Sequence, residues 1–402
     1  MLKPLPIERE PRLDWLQMGA VLALMVFGFF FIWSASAVGD FTGAAAWYRQ
    51  RPFLQAAWYG IGIVAAVMVC LVDYRTLSRY AMLAYWGAML LLVLVLIPGI
   101  GAKRFGAQRW IDLGVMQFQP SELGKLAFVF AMAHFLSRPQ DELRQFPVFV
   151  KALGLIALPF ALILVEPDLG SALLVVPAGL VMLFVAGAPL HWLRRLVGGA
   201  ALLLALLVVD VVFAPEGWRL PLEDYQRRRL LVYFNQDYAP PDAPEEVRRR
   251  AAIQKRNDSY NVEQALISVG SGGLTGKGWR QGTQNALGYL PRGVAHNDFI
   301  FSVLAEEKGF LGSATVVALY TVVLFTGIRI ASQARDRLGR LLAVGVVTLL
   351  LSQVFINIGM NIRLVPVTGV PLPLLSYGGT SVLGSLIALG LLQNVYLHRR
   401  SY

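Results

Sequence analysis

Residues 295–310 read AHNDFIFSVLAEEKGF. His296, Asn297 and Asp298 open the stretch, an apolar run from Phe299 to Leu304 follows, and Glu306, Glu307 and Lys308 close it. An acid at a helix entrance can cap the first turn, and Asp298 alone fits that role. Glu306 and Glu307 lie ~12 Å deeper at 1.5 Å per residue, where a cap has no use for them. A water-filled cleft into which acids and bases converge from several elements accounts for all of these groups together. Carboxylates in such a cleft do acid–base work, and fixed cations stabilise developing negative charge.

Other segments offer similar groups. QPSELGKLAFVF (119–130) puts Glu122 and Lys125 three residues apart on one helical face. They form either a structural ion pair or the polar wall of a cavity. EPDLGSALL (166–174) is a tight turn in which Pro167 breaks one helix. Asp168 there either caps the next helix or faces the same cavity. GAKRFGAQRWIDLG (101–114) carries Lys103, Arg104 and Arg109, which hold an anionic headgroup or anchor the chain at an interface beside Trp110. Arg363 opens NIGMNIRLVPVTGVPLPLLSYGGTS (357–381), whose Pro366, Pro371 and Pro373 break any helix. Such irregular backbone survives near a membrane only where protein or water satisfies it. SGGLTGKG (271–278) mimics a phosphate-binding loop, but Ser271 stands where its first Gly belongs and Gly278 where Ser or Thr must reach the metal. Its glycines permit tight turns or contact a substrate directly, with Lys277 among them. No metal-ligand spacing is present, and His296 reads as an interfacial residue.

The elements that position these groups are membrane spans. The chain has 402 residues, 56% hydrophobic and 15% charged, with mean hydropathy +0.57. The apolar excess falls in runs of about 20 residues, the length that crosses a bilayer core. Ten spans are expected: 15–38, 54–72, 80–99, 119–137, 149–166, 169–189, 195–214, 298–328, 341–362 and 380–397. The reading is an all-α polytopic membrane protein of about ten transmembrane helices, a single integral membrane domain over 1–402. Ten spans place both termini on one side. With the N-terminus cytoplasmic, the inner segments collect Arg75, Arg79, Arg138, Arg144, Lys151, Arg194, Arg195, Arg329, Arg335, Arg337, Arg340 and both tails, while the short outer loops hold far fewer cations. The net charge of +11 is thus topology, and no basic stripe with interleaved aromatics suggests nucleic acid. Cys70, the single cysteine, forms no internal disulfide. Residues 215–297 form one large extracytoplasmic loop between spans 7 and 8. Its first half is charged and Pro-containing and is expected to be partly mobile.

GAQRWIDLG…QFQPSELGK, PDLGSALL, ISVGSGGLTGKGWRQGTQ, HNDFIFSVLAEEKGFLG and PVTGVPLPLLSYGGTS, in that order, resemble the SEDS proteins (shape, elongation, division and sporulation) over about residues 15–397. GKGWRQGTQ resembles the rod-shape branch more than the division branch. The resemblance implies ten transmembrane helices and a peptidoglycan glycosyltransferase in the bacterial cytoplasmic membrane. The implied substrate is lipid II, a disaccharide-pentapeptide on undecaprenyl pyrophosphate, and the implied partner is a class B penicillin-binding protein, a transpeptidase. The family's catalytic Asp falls on Asp298, its Gln-Pro-Ser-Glu acid and base on Glu122 and Lys125, and its Pro-Asp-Leu-Gly acid on Asp168. The sequence departs from the family pattern in four places, one being a long outer segment around NQDYAPPDAPEEVRRRAAIQKRND. Asn297 replaces a Thr, LPRGVAH lacks a Glu and is two residues longer, and Glu166 replaces a Gln.

Together these readings make Asp298 a general base and Arg109, Lys125, Lys277 and Arg363 the groups that stabilise a leaving pyrophosphate, with Glu122 orienting Lys125. A divalent cation could assist, but nothing in the sequence demands one. A lipid II flippase would also use intramembrane charges and broken helices. A pure scaffold for the transpeptidase would need none of the cavity charges.

Overall fold

The computed structural model describes residues 13–36, 47–104, 107–112, 114, 117–214, 224–239, 243–290 and 293–399. In chain order the helices are α1 (Trp15–Ser36), α2 (Arg51–Leu71), α3 (Tyr74–Ser78) and α4 (Ala81–Val95). Strands β1 (Gly101–Arg104), β2 (Ala107–Asp112) and β3 (Gln117–Phe118) follow. Then come α5 (Pro120–Leu136), α6 (Gln140–Leu143), α7 (Phe146–Val165), α8 (Leu169–Ala186), α9 (Leu190–Phe213), α10 (Asp224–Tyr233), α11 (Glu245–Ser271), α12 (Thr283–Ala286), α13 (Ile300–Gln333), α14 (Arg337–Asn361) and α15 (Gly379–His398).

Every expected span contains one helix, but not every helix fills its span. Among the described residues, eight are long and apolar enough to cross a membrane: α1, α2, α7, α8, α9, α13, α14 and α15. α4 and α5 are shorter, at 15 and 17 residues. Pro98 and Gly99, the latter at φ +96°, end the first before its apolar run is used up. Pro120 starts the second at its first turn, where a missing N–H costs nothing. The residues between them form a small antiparallel sheet in the order β1-β2-β3, which the all-helical reading did not contain. α14 and α15 are the most enclosed of the spanning helices and α9 the least, so the core lies along α14, α15, α5 and α8.

Two further differences bear on function. First, the charged part of 215–297 folds where it is described. α11 runs unbroken for 27 residues, begun by Pro244 at its N-cap and by Glu245 and Glu246 at the positive helix end. Its Ala, Arg, Gln, Glu and Lys content favours helix. Second, α13 is two helices joined at Gly309, which takes φ +63° and ψ −158°. The Gly-rich loop splints this break. Lys277 N–H donates to Glu306 O (3.1 Å) and Gly278 N–H to Glu307 O (3.0 Å) on one side. Phe310 N–H donates to Gly273 O (2.8 Å) and Leu311 N–H to Leu274 O (3.0 Å) on the other. The main-chain groups freed by the break are thereby satisfied within protein. A Cβ on Gly309 would lie 2.4 Å from Gly276 N, and one on Gly276 2.2 Å from Glu307 O, so both glycines serve close backbone approach.

Candidate active site

The N-cap of α13 is Phe299, not Asp298, and no side chain caps this helix. Asp298 belongs to the preceding turn, where its N–H donates to Val294 O at 3.0 Å. Its carbonyl accepts from Nδ2 of both Asn357 and Asn361, each at 3.1 Å, on successive turns of α14. Asn361 also accepts from Ser302 Oγ at 2.6 Å. The Pro-rich loop grips the neighbouring residues: Ser376 Oγ donates to Asn297 O (2.6 Å) and Tyr377 N–H to His296 O (2.9 Å). The main chain is thus fixed from two sides, and the Asp298 carboxylate lines a cleft of about 520 Å³. Burial pushes this carboxyl up to about 6. Arg229 opposes the shift, Asp168 adds to it, and Arg109 opposes it further.

The cleft also presents Arg109, Trp110, Arg228, Arg229, Asp258 and Arg363. Of the residues singled out in the sequence, Asp298, Arg109 and Arg363 meet here. Arg363 takes φ +59° as the chain leaves α14, and its Nη2 donates to Val232 O of α10 at 3.3 Å. Arg109 reaches across from β2 to the turn before α8. Its Nε donates to Glu166 O at 3.1 Å, and its Nη2 donates to Pro167 O. Its Nη1 lies 3.9 Å from Asp168 Oδ1.

Asp168 does two things at once. It caps α8 by accepting from Ser171 N–H (3.1 Å), and it accepts from Gln119 Nε2 (3.0 Å) behind the cleft wall. Glu166 beside it is fully enclosed, with no hydrogen-bond partner on either carboxylate oxygen. Burial pushes this acid up to about 9. Asp168 raises it further and Arg109 opposes, so it is neutral at pH 7. His296 is neutral too, since burial and the Arg51 charge bring it down to about 3.

The expectation that one cleft gathers every ionisable group is corrected. Glu122 and Lys125 form a 2.7 Å ion pair buried in α5 and do not line the cleft. Glu306 and Glu307 are enclosed in a second cluster behind the first helix of α13. There Glu306 accepts from Lys277 Nζ (2.6 Å), Thr283 Oγ1 (3.1 Å) and Gln284 N–H (2.9 Å), while Glu307 accepts from Ser34 Oγ. Lys277 is therefore drawn away from the cleft by a carboxylate that can leave water only if it is paired.

Four contributors went unread in the sequence. Asn357 and Asn361 are polar residues at i,i+4 in an apolar span, a spacing that could have marked them. Arg228 and Arg229 sit in a charged run that looked like solvated loop. Among the described residues no group of three or more His, Cys, Asp or Glu side chains gathers to hold a metal ion.

Fold and site together define a multi-pass membrane protein with a cleft lined by Asp298 and several arginines at one end of its helix bundle. The FtsW/RodA/SpoVE cell-cycle protein model matches residues 14–401, and the chain belongs to that family, the SEDS proteins. It is 37% identical over 382 residues to the peptidoglycan glycosyltransferase MrdB of Escherichia coli K12, covering 94% of this chain and 92% of that one. It is 38% identical over 392 residues to the stage V sporulation protein E of Bacillus subtilis, covering 96% and 98%. Among solved structures, a chain described under the structural coordination of polymerization and crosslinking by a peptidoglycan synthase complex superposes with a TM-score of 0.75 at 30% identity, covering 97% and 99%. The rod shape determining protein RodA of Thermus thermophilus gives 0.63 at 27%, covering 96% and 98%.

Proposed function

We propose that this peptidoglycan glycosyltransferase polymerises lipid II at the outer leaflet of the bacterial cytoplasmic membrane during cell elongation, with Asp298 as general base. The observation that carries the reading is a carboxylate with an upward-shifted pKa on the floor of an arginine-lined cleft, its main chain held by Asn357 and Asn361. A hydroxyl on the acceptor sugar gives its proton to Asp298 while its oxygen attacks the anomeric carbon of the donor. The bond from that carbon to the pyrophosphate oxygen breaks, and undecaprenyl pyrophosphate leaves with the electron pair. A base of this kind contributes typically 10²–10⁴-fold. Arg109 and Arg363 stabilise the departing charge. Glu122, Lys125, Asp168 and Lys277 act at one remove, by holding the elements that frame the cleft.

The excess of basic residues in the segments opposite the cleft supports cytoplasmic termini and an outward-facing active site. The likeness to a chain of a synthase complex that polymerises and crosslinks supports a class B penicillin-binding protein as partner. The test is polymerisation of lipid II by purified protein in detergent, where a flippase has nothing to cross. Wild type should lengthen glycan strands, with an acid limb in its pH profile at about 6 that reflects Asp298. Asp298→Asn should lose at least about 100-fold of the rate. Undiminished polymerisation by a well-folded Asp298→Asn removes the base role.

A further inference from the structure

A leaving pyrophosphate needs cations placed where charge develops, and the planar fork of arginine suits it best. Two of the four cations expected to do this, Lys125 and Lys277, pair with carboxylates off the cleft, at 2.7 Å from Glu122 and 2.6 Å from Glu306. Arg109 spends Nε and Nη2 on the carbonyls of Glu166 and Pro167. α10 supplies other candidates. Its first arginine, Arg227, ties the helix to α9 by donating to Asp210 O (3.3 Å) and Val211 O (3.4 Å). Its next two, Arg228 and Arg229, line the cleft together with Arg363. Tyr233 OH donates to Leu364 O (3.0 Å) and Arg363 Nη2 to Val232 O (3.3 Å), so α10 and the start of the Pro-rich loop are stapled into one wall. Arg228 Nε is a loose 3.8 Å from Asp258 Oδ2, while Asp258 accepts closer bonds from Tyr238 OH (3.0 Å) and Gln254 Nε2 (3.1 Å). The Asp258 carboxylate thus positions the guanidinium at the cleft wall.

We propose that Arg228 and Arg229 of α10, with Arg363, form the subsite that grips the pyrophosphate of the lipid-linked donor. The proposal rests on the glycosyltransferase reading of the cleft. Displacement at the anomeric carbon puts the base and the leaving group on opposite faces of the sugar. Asp298 comes from the turn before α13 and the arginines from α10 and the segment after α14, so the base and the cations reach the one cleft from different elements. Arg229 is also close enough to act on the Asp298 carboxyl, so the residue that holds the leaving group tunes the base as well.

The experiment measures binding of undecaprenyl pyrophosphate and undecaprenyl monophosphate to the purified full chain by isothermal titration calorimetry, beside steady-state polymerisation. Wild type should prefer the pyrophosphate at least tenfold. The double variant Arg228→Gln/Arg229→Gln should lose that preference and raise the KM for lipid II at least tenfold. Arg229→Gln alone should move the acid limb of the rate profile to higher pH, an effect that a purely structural role would not produce. Asp298→Asn should lose turnover and keep the pyrophosphate preference, which separates this proposal from the base assignment. If the glutamine pair does not fold, Arg228→Lys/Arg229→Lys keeps the charge, removes the fork and should still weaken the preference. An unchanged preference in either folded pair overturns the proposal.

Discussion

Glu166 offers the sharpest test of the electrostatics around the cleft. Burial moves its carboxyl from an ordinary 4.5 to about 9, so the native protein holds it as a neutral acid at pH 7. A folded-state pKa raised above the unfolded value contributes stability in full below 4.5 and loses it as pH climbs toward 9. One pKa unit is worth about 1.4 kcal/mol. Between pH 6 and pH 8 the native state should therefore give up as much as about 3 kcal/mol from this one residue. Glu166→Gln preserves the shape and the neutral charge and removes the titration. Thermal unfolding followed by tryptophan fluorescence should show wild type melting roughly 5 °C lower at pH 8 than at pH 6 beyond the change seen in Glu166→Gln. The Gln variant should be the more stable protein at pH 8, and Arg109 should keep its grip on the residue 166 carbonyl. Parallel pH slopes for the two proteins would mean that Glu166 is ionised or hydrated in the native state, and the account of a dry turn beneath Arg109 would fail.

Two further outcomes follow from the cluster behind α13. Lys277→Met should destabilise the protein by about 3–5 kcal/mol because it strands the enclosed Glu306 carboxylate. Glu306→Gln should cost less, since the amide oxygen can still accept from Thr283 and Gln284; adding it to Lys277→Met should recover most of the loss in the same melting assay. Gly309→Ala should cost about 2 kcal/mol or more, because the new Cβ meets Gly276 N at 2.4 Å on a backbone with positive φ; melting and polymerisation should fall together, and a neutral result would mean that the helix break is not held by its glycine.

Hydropathy made the long helices legible because, among the described residues, eight are apolar enough to cross a membrane and that character is written locally. It could not show that α4 stops at Val95, since Leu96 and Ile97 are as apolar as what precedes them and only Pro98 and Gly99 turn the chain. Nor could it show the break at Gly309, because a glycine inside a helical pattern is tolerated and reads equally well as part of a helix. Asp298 and Arg363 were readable because each lies at a span end, where charge is out of place unless a cavity receives it, and Arg109 because it stands in a short outer loop between two spans. The partner of Lys277 was not readable, being Glu306, 29 residues away across a fold-dependent contact. The pairing of Lys125 with Glu122 was one of two open readings, since three residues on a helix bring side chains together whatever lies outside. Arg228 and Arg229 were missed because charge in a long loop usually means solvent, and only the packing of α10 against α9 and the segment after α14 gives them a wall to stand on.

The crowd of ionisable groups in AHNDFIFSVLAEEKGF then has a division of labour. The first helix of α13 is enclosed on nearly all sides and is too short to be stable alone in water. It must be held at both ends. Its front is held through main-chain carbonyls, by Asn357, Asn361 and Ser376, an arrangement that leaves the Asp298 side chain on the cleft. Its rear is held through carboxylates, by Lys277, Thr283, Gln284 and Ser34. An acid used for anchoring must be paired, whereas an acid that is to accept a proton must keep an oxygen unpaired, so on the proposed reading of Asp298 the two kinds cannot exchange places. That is why Glu306 and Glu307 sit beyond the reach of substrate although the sequence sets them only two turns from Asp298, and why loosening the Gly-rich loop should disturb catalysis through the position of this short helix rather than through any contact with the sugar.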